Sequence, residues 1–131
     1  MNSIIKNYEN IKSLVNNSNV KIVAVSKTFS LEHVRPLLEH GHLHFGENKV
    51  QEAQSKWSQI KLDSPNINLH MIGKLQSNKA KEAVKLFDYI HSLDNQKLAD
   101  RLAKQENFIN KKLKYFIQVN IANEKQKSGI E

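Results

Sequence analysis

Residues 20–28 read Val-Lys-Ile-Val-Ala-Val-Ser-Lys-Thr, and the fold turns on that stretch. Val20 to Val25 is short, β-branched and nearly all apolar, the pattern of a parallel strand buried on both faces. Ser26, Lys27 and Thr28 then carry the chain out of the strand. Upstream, Ile4, Tyr8, Ile11 and Val15 recur at helical spacing and predict a helix that ends near the polar run Asn16 to Asn19. Downstream, Ser30 reads as an N-cap, Val34, Leu37 and Leu38 as an apolar helix face, and Gly41 as a left-handed helix end. Pro36 lies too deep for a first turn, so that helix either starts later than Ser30 or is kinked.

The same unit repeats along the chain. A strand at Leu43-His44-Phe45 precedes a helix from about Asn48, with Val50, Ala53, Trp57 and Ile60 on one face, and a loop at Asp63-Ser64-Pro65. The strand Asn68 to Ile72 leads to a helix through Ala80, Ala83, Val84 and Phe87, and the strand Tyr89 to Leu93 to a helix through Leu98, Leu102 and Ile109. A last strand spans Leu113 to Ile121. Strict alternation of strands and helices implies βαβ crossovers and a parallel sheet, either open or part of a barrel. No linker, low-complexity tract or second domain interrupts it. Because an eight-stranded α/β barrel needs about 250 residues, a chain of 131 residues, if its fold is a barrel, holds only the first part of one.

Composition narrows the chemistry. Without cysteine, a disulfide scaffold, a thiol nucleophile and thiolate metal sites are excluded, and the chain suits a reducing cytosol. The N-terminal Met1 to Val15 is broken by Lys6, Glu9 and Lys12, unlike a signal peptide, and no run approaches a membrane span, so a cytoplasmic protein is expected. Net charge is +7, but every cation except Arg35 and Arg101 is lysine, scattered among acids. A Lys-rich module binding nucleic acid nonspecifically is thus a weaker alternative.

In parallel α/β folds ligands sit at the carboxyl ends of strands. That singles out Ser26-Lys27-Thr28, Gly46-Glu47-Asn48, the segment Gly73 to Asn78, Ser92-Leu93-Asp94 and the residues from Asn120 onward. Partial burial after an apolar strand would lower the amine pKa of Lys27 and make it a nucleophile towards an aldehyde. Position alone favours a solvated lysine at a strand end. Asn48 reads either as a helix N-cap, which spacing favours, or as an amide aimed at a ligand. Gly73 to Lys79 lacks the glycine spacing and ending of a phosphate-binding P-loop, leaving Ser77 or Asn78 as an N-cap. His40, His42 and His44 alternate without a carboxylate or Cys to complete a metal site and read as surface or strand-end residues. His70 and His91 read as satisfied core residues.

Taken in order, Ala24-Val-Ser-Lys27-Thr28, Phe45-Gly-Glu-Asn48 with Val50-Gln-Glu52, His70 to Lys79, His91-Ser-Leu-Asp94, and Gln118-Val-Asn-Ile121 with Glu124, Lys127 and Gly129 form a series of motifs. Over nearly its whole length the chain resembles the pyridoxal phosphate homeostasis proteins, the YggS/PROSC family, which are similar to the barrel domain of alanine racemase. The resemblance implies an α/β protein: the N-terminal part of a (β/α)8 TIM-type barrel, about five parallel strands alternating with helices, in one partial domain over residues 1–131. It implies pyridoxal 5′-phosphate (PLP) as cofactor, held as a Schiff base on Lys27, with Asn48 beside it. His70, Ile72 and Gln76 would fall near the same mouth without an assigned role. The family is associated with cofactor supply and amino-acid and keto-acid balance, without an established turnover reaction.

A PLP-dependent racemase-like enzyme is the alternative within the same chemistry. It would need groups that place a substrate amine and move its alpha proton, and the sequence offers no such set. The resemblance also implies later serine- and glycine-rich segments for the phosphate and an arginine facing the pyridine nitrogen, which lie past Glu131. The expectation is therefore a shortened or split-gene product that a second chain completes, with Ile22, Val23, Phe116 and Ile117 exposed on unpaired sheet edges.

Overall fold

The computed structural model describes residues 2–16, 19–122, 124 and 128–130. Asn17 and Ser18 of the polar run, and Lys127 of the last motif, lie outside the described residues. The elements run α1 (Ser3–Val15), β1 (Ala24–Val25), α2 (Leu31–Glu39), β2 (His44–Glu47), α3 (Val50–Asp63), β3 (Asn68–Met71), a 3₁₀ turn (Ser77–Lys79), α4 (Ala80–Leu86), β4 (Tyr89–Leu93), α5 (Gln96–Ile109) and β5 (Lys114–Ile117). All strand pairs are parallel, in the order β1-β2-β3-β4-β5. Each strand adds beside its predecessor with no reversal. That singly wound progression is the arc of a (β/α) barrel, whereas a doubly wound sheet reverses its strand order at a switch point.

The strands alternate strictly between two environments. Phe45, Leu69, Met71 and Ile90 point towards the helices and pack with Trp57, Val84, Phe87, Leu98 and Leu102 into one apolar layer. The Trp57 and Phe45 rings meet at 4.9 Å. His44, Gly46, His70, Tyr89 and His91, one residue out of phase, project from the opposite face of the sheet.

Helix ends are set by local chemistry. Asn2 and Asn95 cap α1 and α5 by accepting from Ile4 N–H and Leu98 N–H, each at 2.8 Å. Gly41, at φ 94°, ends α2 as expected: Gly41 N–H donates to the Leu38 carbonyl and His42 N–H to that of Leu37, a Schellman motif. Pro36 sits inside α2, which starts directly after Ser30, so the helix gives up the ladder bond from Pro36 to Glu32. The Lys111 ammonium caps α4 by donating to the carbonyls of Val84, Lys85 and Phe87.

Several expectations are corrected. The first strand is confined to Ala24–Val25 because β2 is its only ladder partner, and residues 20–23 run outside the ladder. The second strand extends through Glu47, two residues further than Phe45, and the fifth stops at Ile117. Asn48 does not cap α3, since Lys49 occupies the cap position, and Ser77 and Asn78 lie within the 3₁₀ turn that follows Gln76.

The outer strands are apolar edges. Phe116 and Ile117 on β5 are exposed as expected, but Ile22 and Val23 are half-buried, and Val25 is the exposed residue at the other edge. Exposed, flat apolar edges promote strand-to-strand association. The chain is therefore expected to self-associate with rising concentration in sedimentation velocity, and Ile117→Lys to shift it towards monomer. An Ile117→Lys chain that sediments as the parent does would place the association elsewhere.

Candidate functional site

The turn that leaves β1 is held on both sides of Lys27. Ser26 continues the ladder by donating its N–H to the Gly46 carbonyl at 2.9 Å, and its hydroxyl donates to Glu47 Oε2 at 2.5 Å. Glu47 is fully buried, and the same oxygen accepts from Trp57 Nε1 at 2.9 Å and Lys56 Nζ at 3.0 Å. Lys56 also donates to the Ser26 carbonyl at 2.6 Å. Beyond Lys27, Thr28 adopts φ 66°, and its N–H donates to both carboxylate oxygens of Glu52 at 2.9 and 3.1 Å. The side chain of Lys27 is exposed and makes no hydrogen bond or ion pair among the described residues. The structure thus gives the exposed strand-end lysine that position alone favours, without partial burial, on an anchored turn.

At the next strand end, Asn48 rests against Gly73. A Cβ on Gly73 would fall 2.1 Å from Asn48 Oδ1 and 2.3 Å from its carbonyl oxygen, so only glycine lets the loop after β3 lie against Asn48. Asn48 and Gln76 line a cleft of about 590 Å³ with Lys49, Lys74 and Lys79, a cationic wall beside an amide. Lys27 is not among the residues lining that cleft. The structure thus places Lys27 and Asn48 at the carboxyl ends of adjacent strands, with Asn48, Gly73 and Gln76 gathered together. Ile72 lies further in, its side chain 3.5 Å from where a Cβ on Gly46 would be.

The roles of Lys56 and Trp57 escape a reading of the sequence. Both belong to α3, and Trp57 is marked only as an apolar face residue. The available signal is Glu47, a carboxylate two residues from Phe45 and so on the same core-facing side of its strand, which demands buried donors.

The histidines form a chain across the sheet's open face. His44 Nδ1 lies 3.0 Å from His70 Nε2, and His70 Nδ1 lies 2.9 Å from His91 Nε2. Tyr89 stacks on His70 at 4.1 Å and Phe116 on His91 at 4.6 Å. His70 is the satisfied, buried residue expected of it. His42, expected at the surface, is instead buried against Tyr8 and Phe45, while His40 pairs with Glu9 at 2.8 Å. Among the described residues no cluster of three or more metal-ligating side chains occurs.

Fold and site together define a (β/α)-barrel-type protein with an anchored lysine at the end of its first strand and an amide at the end of its second. The chain belongs to the family of the alanine racemase N-terminal domain, whose model matches residues 1–131. It is 42% identical over 114 residues to the pyridoxal phosphate homeostasis protein of Pasteurella multocida, an alignment covering 87% of this chain and 49% of that one. Against the homonymous protein of Vibrio cholerae it is 37% identical, covering 100% of this chain and 60% of that one. The chain thus spans about half the length of these curated relatives. Among solved structures it is similar to PipY of Synechococcus elongatus with PLP bound, at a TM-score of 0.82 and 38% identity, covering 94% of this chain and 57% of PipY. The fold expected from the sequence, the N-terminal part of a (β/α) barrel with about five parallel strands alternating with helices, is therefore the fold observed. No described helix is long and apolar enough to cross a membrane.

Burial holds the His70 imidazole well below its ordinary 6.5, at about 4, with the neighbouring His91 and His44 adding in the same direction. Burial also lowers His42, His44 and His91. A folded-state value below the unfolded one means that the unfolded chain binds the proton first as pH falls. The contribution of His70 is complete above about pH 6.5 and is lost towards pH 4, amounting to about 3 kcal/mol. Urea unfolding at pH 7.5 and 4.5 is expected to show this loss, and His70→Gln to shrink it by most of that amount. An equal pH dependence in the variant would assign the acid sensitivity to other groups.

Proposed function

We propose that this chain is the first part of an alanine-racemase-type barrel domain over residues 1–131. It supplies the covalent side of a cytoplasmic pyridoxal 5′-phosphate site that serves homeostasis of that cofactor. Lys27 is the attachment residue and Asn48 its neighbour. The observation that carries the reading is an exposed amine, unpaired among the described residues, on a turn fixed at both flanks at the carboxyl end of β1. The similarity to PipY, whose structure has PLP bound, supports it.

The residues present fit such a group. Lys27, whose amine has no competing partner among the described residues, would hold the cofactor through the aldehyde carbon. When bound, the cofactor supplies that electrophilic aldehyde and a ring that withdraws electrons. Asn48, kept against Gly73, offers an amide beside the mouth, and Lys49, Lys74 and Lys79 make the adjoining cleft favourable for anions. These groups would bind and orient the cofactor, and the reading is one of cofactor holding.

Absorbance spectra of the purified chain with PLP, compared with Lys27→Ala, test the assignment. A visible band of lysine-bound cofactor is expected in the parent only, and borohydride reduction with peptide mapping should place the label on Lys27. Identical spectra, or label spread evenly over the other lysines, would refute it.

A further inference from the structure

Resting on Lys27 as the attachment residue, we propose that Glu52 is the positioning residue of the site, fixing the Lys27 turn from α3 together with Lys56 and Glu47. The turn closes on itself through a single backbone bond, Phe29 N–H donating to the Ser26 carbonyl at 3.2 Å, and its third residue is strained. Thr28 is β-branched and lies at φ 66°, a region such residues leave unless something retains them. What retains it is the Glu52 carboxylate, both of whose oxygens accept from the Thr28 N–H. A charge-assisted contact of this kind is stronger than a neutral one.

Glu52 and Lys56 stand four residues apart on α3 and therefore share one face of the helix. From that face the carboxylate takes the amide after Lys27, and the ammonium takes the carbonyl before it. Lys56 is itself fixed by the buried Glu47, which also takes the Ser26 hydroxyl. Both peptide groups flanking Lys27 are thus tied to a rigid helix, while the Lys27 side chain is left untied. Such an arrangement aims an amine: the backbone direction at residue 27 is set before any ligand arrives, and only the side-chain torsions remain to be ordered. A pre-aimed nucleophile gains rate because little reorientation is left for the reaction itself.

The test is the rate at which substoichiometric PLP, trapped by borohydride, labels individual lysines in the full chain, followed by peptide mapping. The exposed Lys97 and Lys104 on α5 serve as internal references. Glu52→Ala is expected to slow labelling of Lys27 by about tenfold or more relative to those references. It should also speed amide hydrogen exchange at Thr28 while shifting the melting midpoint by no more than ~2 °C. Glu52→Gln keeps an acceptor oxygen for the Thr28 N–H and should recover most of the labelling rate. A role confined to stability would move the midpoint and leave the ratio of Lys27 to reference labelling unchanged. Labelling of Lys27 at the parent rate in Glu52→Ala would overturn the proposal, as would a Glu52→Gln chain as slow as Glu52→Ala. Absence of label at Lys27 in the parent would instead overturn the cofactor reading, and the positioning role with it.

Discussion

A carboxylate enclosed in an apolar layer has to find donors or lose its charge, and Glu47 finds three on a single oxygen. Those donors come from the exit of β1 and from two successive residues of α3. The requirement to satisfy one buried charge therefore ties together the first strand, the second strand and the helix behind them. Without that tie β1 would be the weakest element of the sheet, since it is two residues long and pairs only with β2. The shortness of β1 and the burial of Glu47 belong to the same arrangement: the strand's end is secured by side chains where the backbone ladder gives out.

The remaining packing is conventional in kind and one-sided in extent. Helices α3, α4 and α5 cover one face of the sheet with apolar side chains, while the other face carries imidazoles and aromatic rings that satisfy and shield one another. Neutral imidazoles suit that face because each can donate at one nitrogen and accept at the other, so His70 bonds both neighbours without a charge. Acid is the condition under which that economy fails. The site itself stands at the opposite chemical extreme, with exposed lysines and amides at the strand ends, where solvent keeps charge inexpensive.

Most of the architecture is legible in the sequence, because strand and helix periods alternate cleanly from Val20 to Ile117 and each unit carries its own turn residues. Boundaries are less so. The apolar run Val20 to Val25 reads as one strand, but hydrogen-bonding extent depends on a neighbour's register, which hydrophobicity does not encode. Asn48 has the chemistry of an N-cap, yet it is drawn against Gly73, and Lys49 takes the cap position. His42 looks like a strand-end residue until Tyr8 of α1 folds over it. The position of Lys27 at the end of a strand is visible from spacing alone. Position alone also favours its exposure, but the anchoring of its turn is not legible, because that depends on what the side chains of α3, beyond the next strand, bind.

That dependence explains how the site divides its labour. The strand end brings the amine to the mouth, and the second strand end brings the amide. Neither places its side chain unaided, since a loop backbone is soft and a lysine side chain longer still. Orientation is borrowed from α3 through contacts to main-chain atoms and not to the amine. Contacts to the amine itself would compete with a ligand for the same nitrogen, and contacts to its flanking peptides do not. At residues 26–28 the backbone is held while, among the described residues, the Lys27 nitrogen is left free.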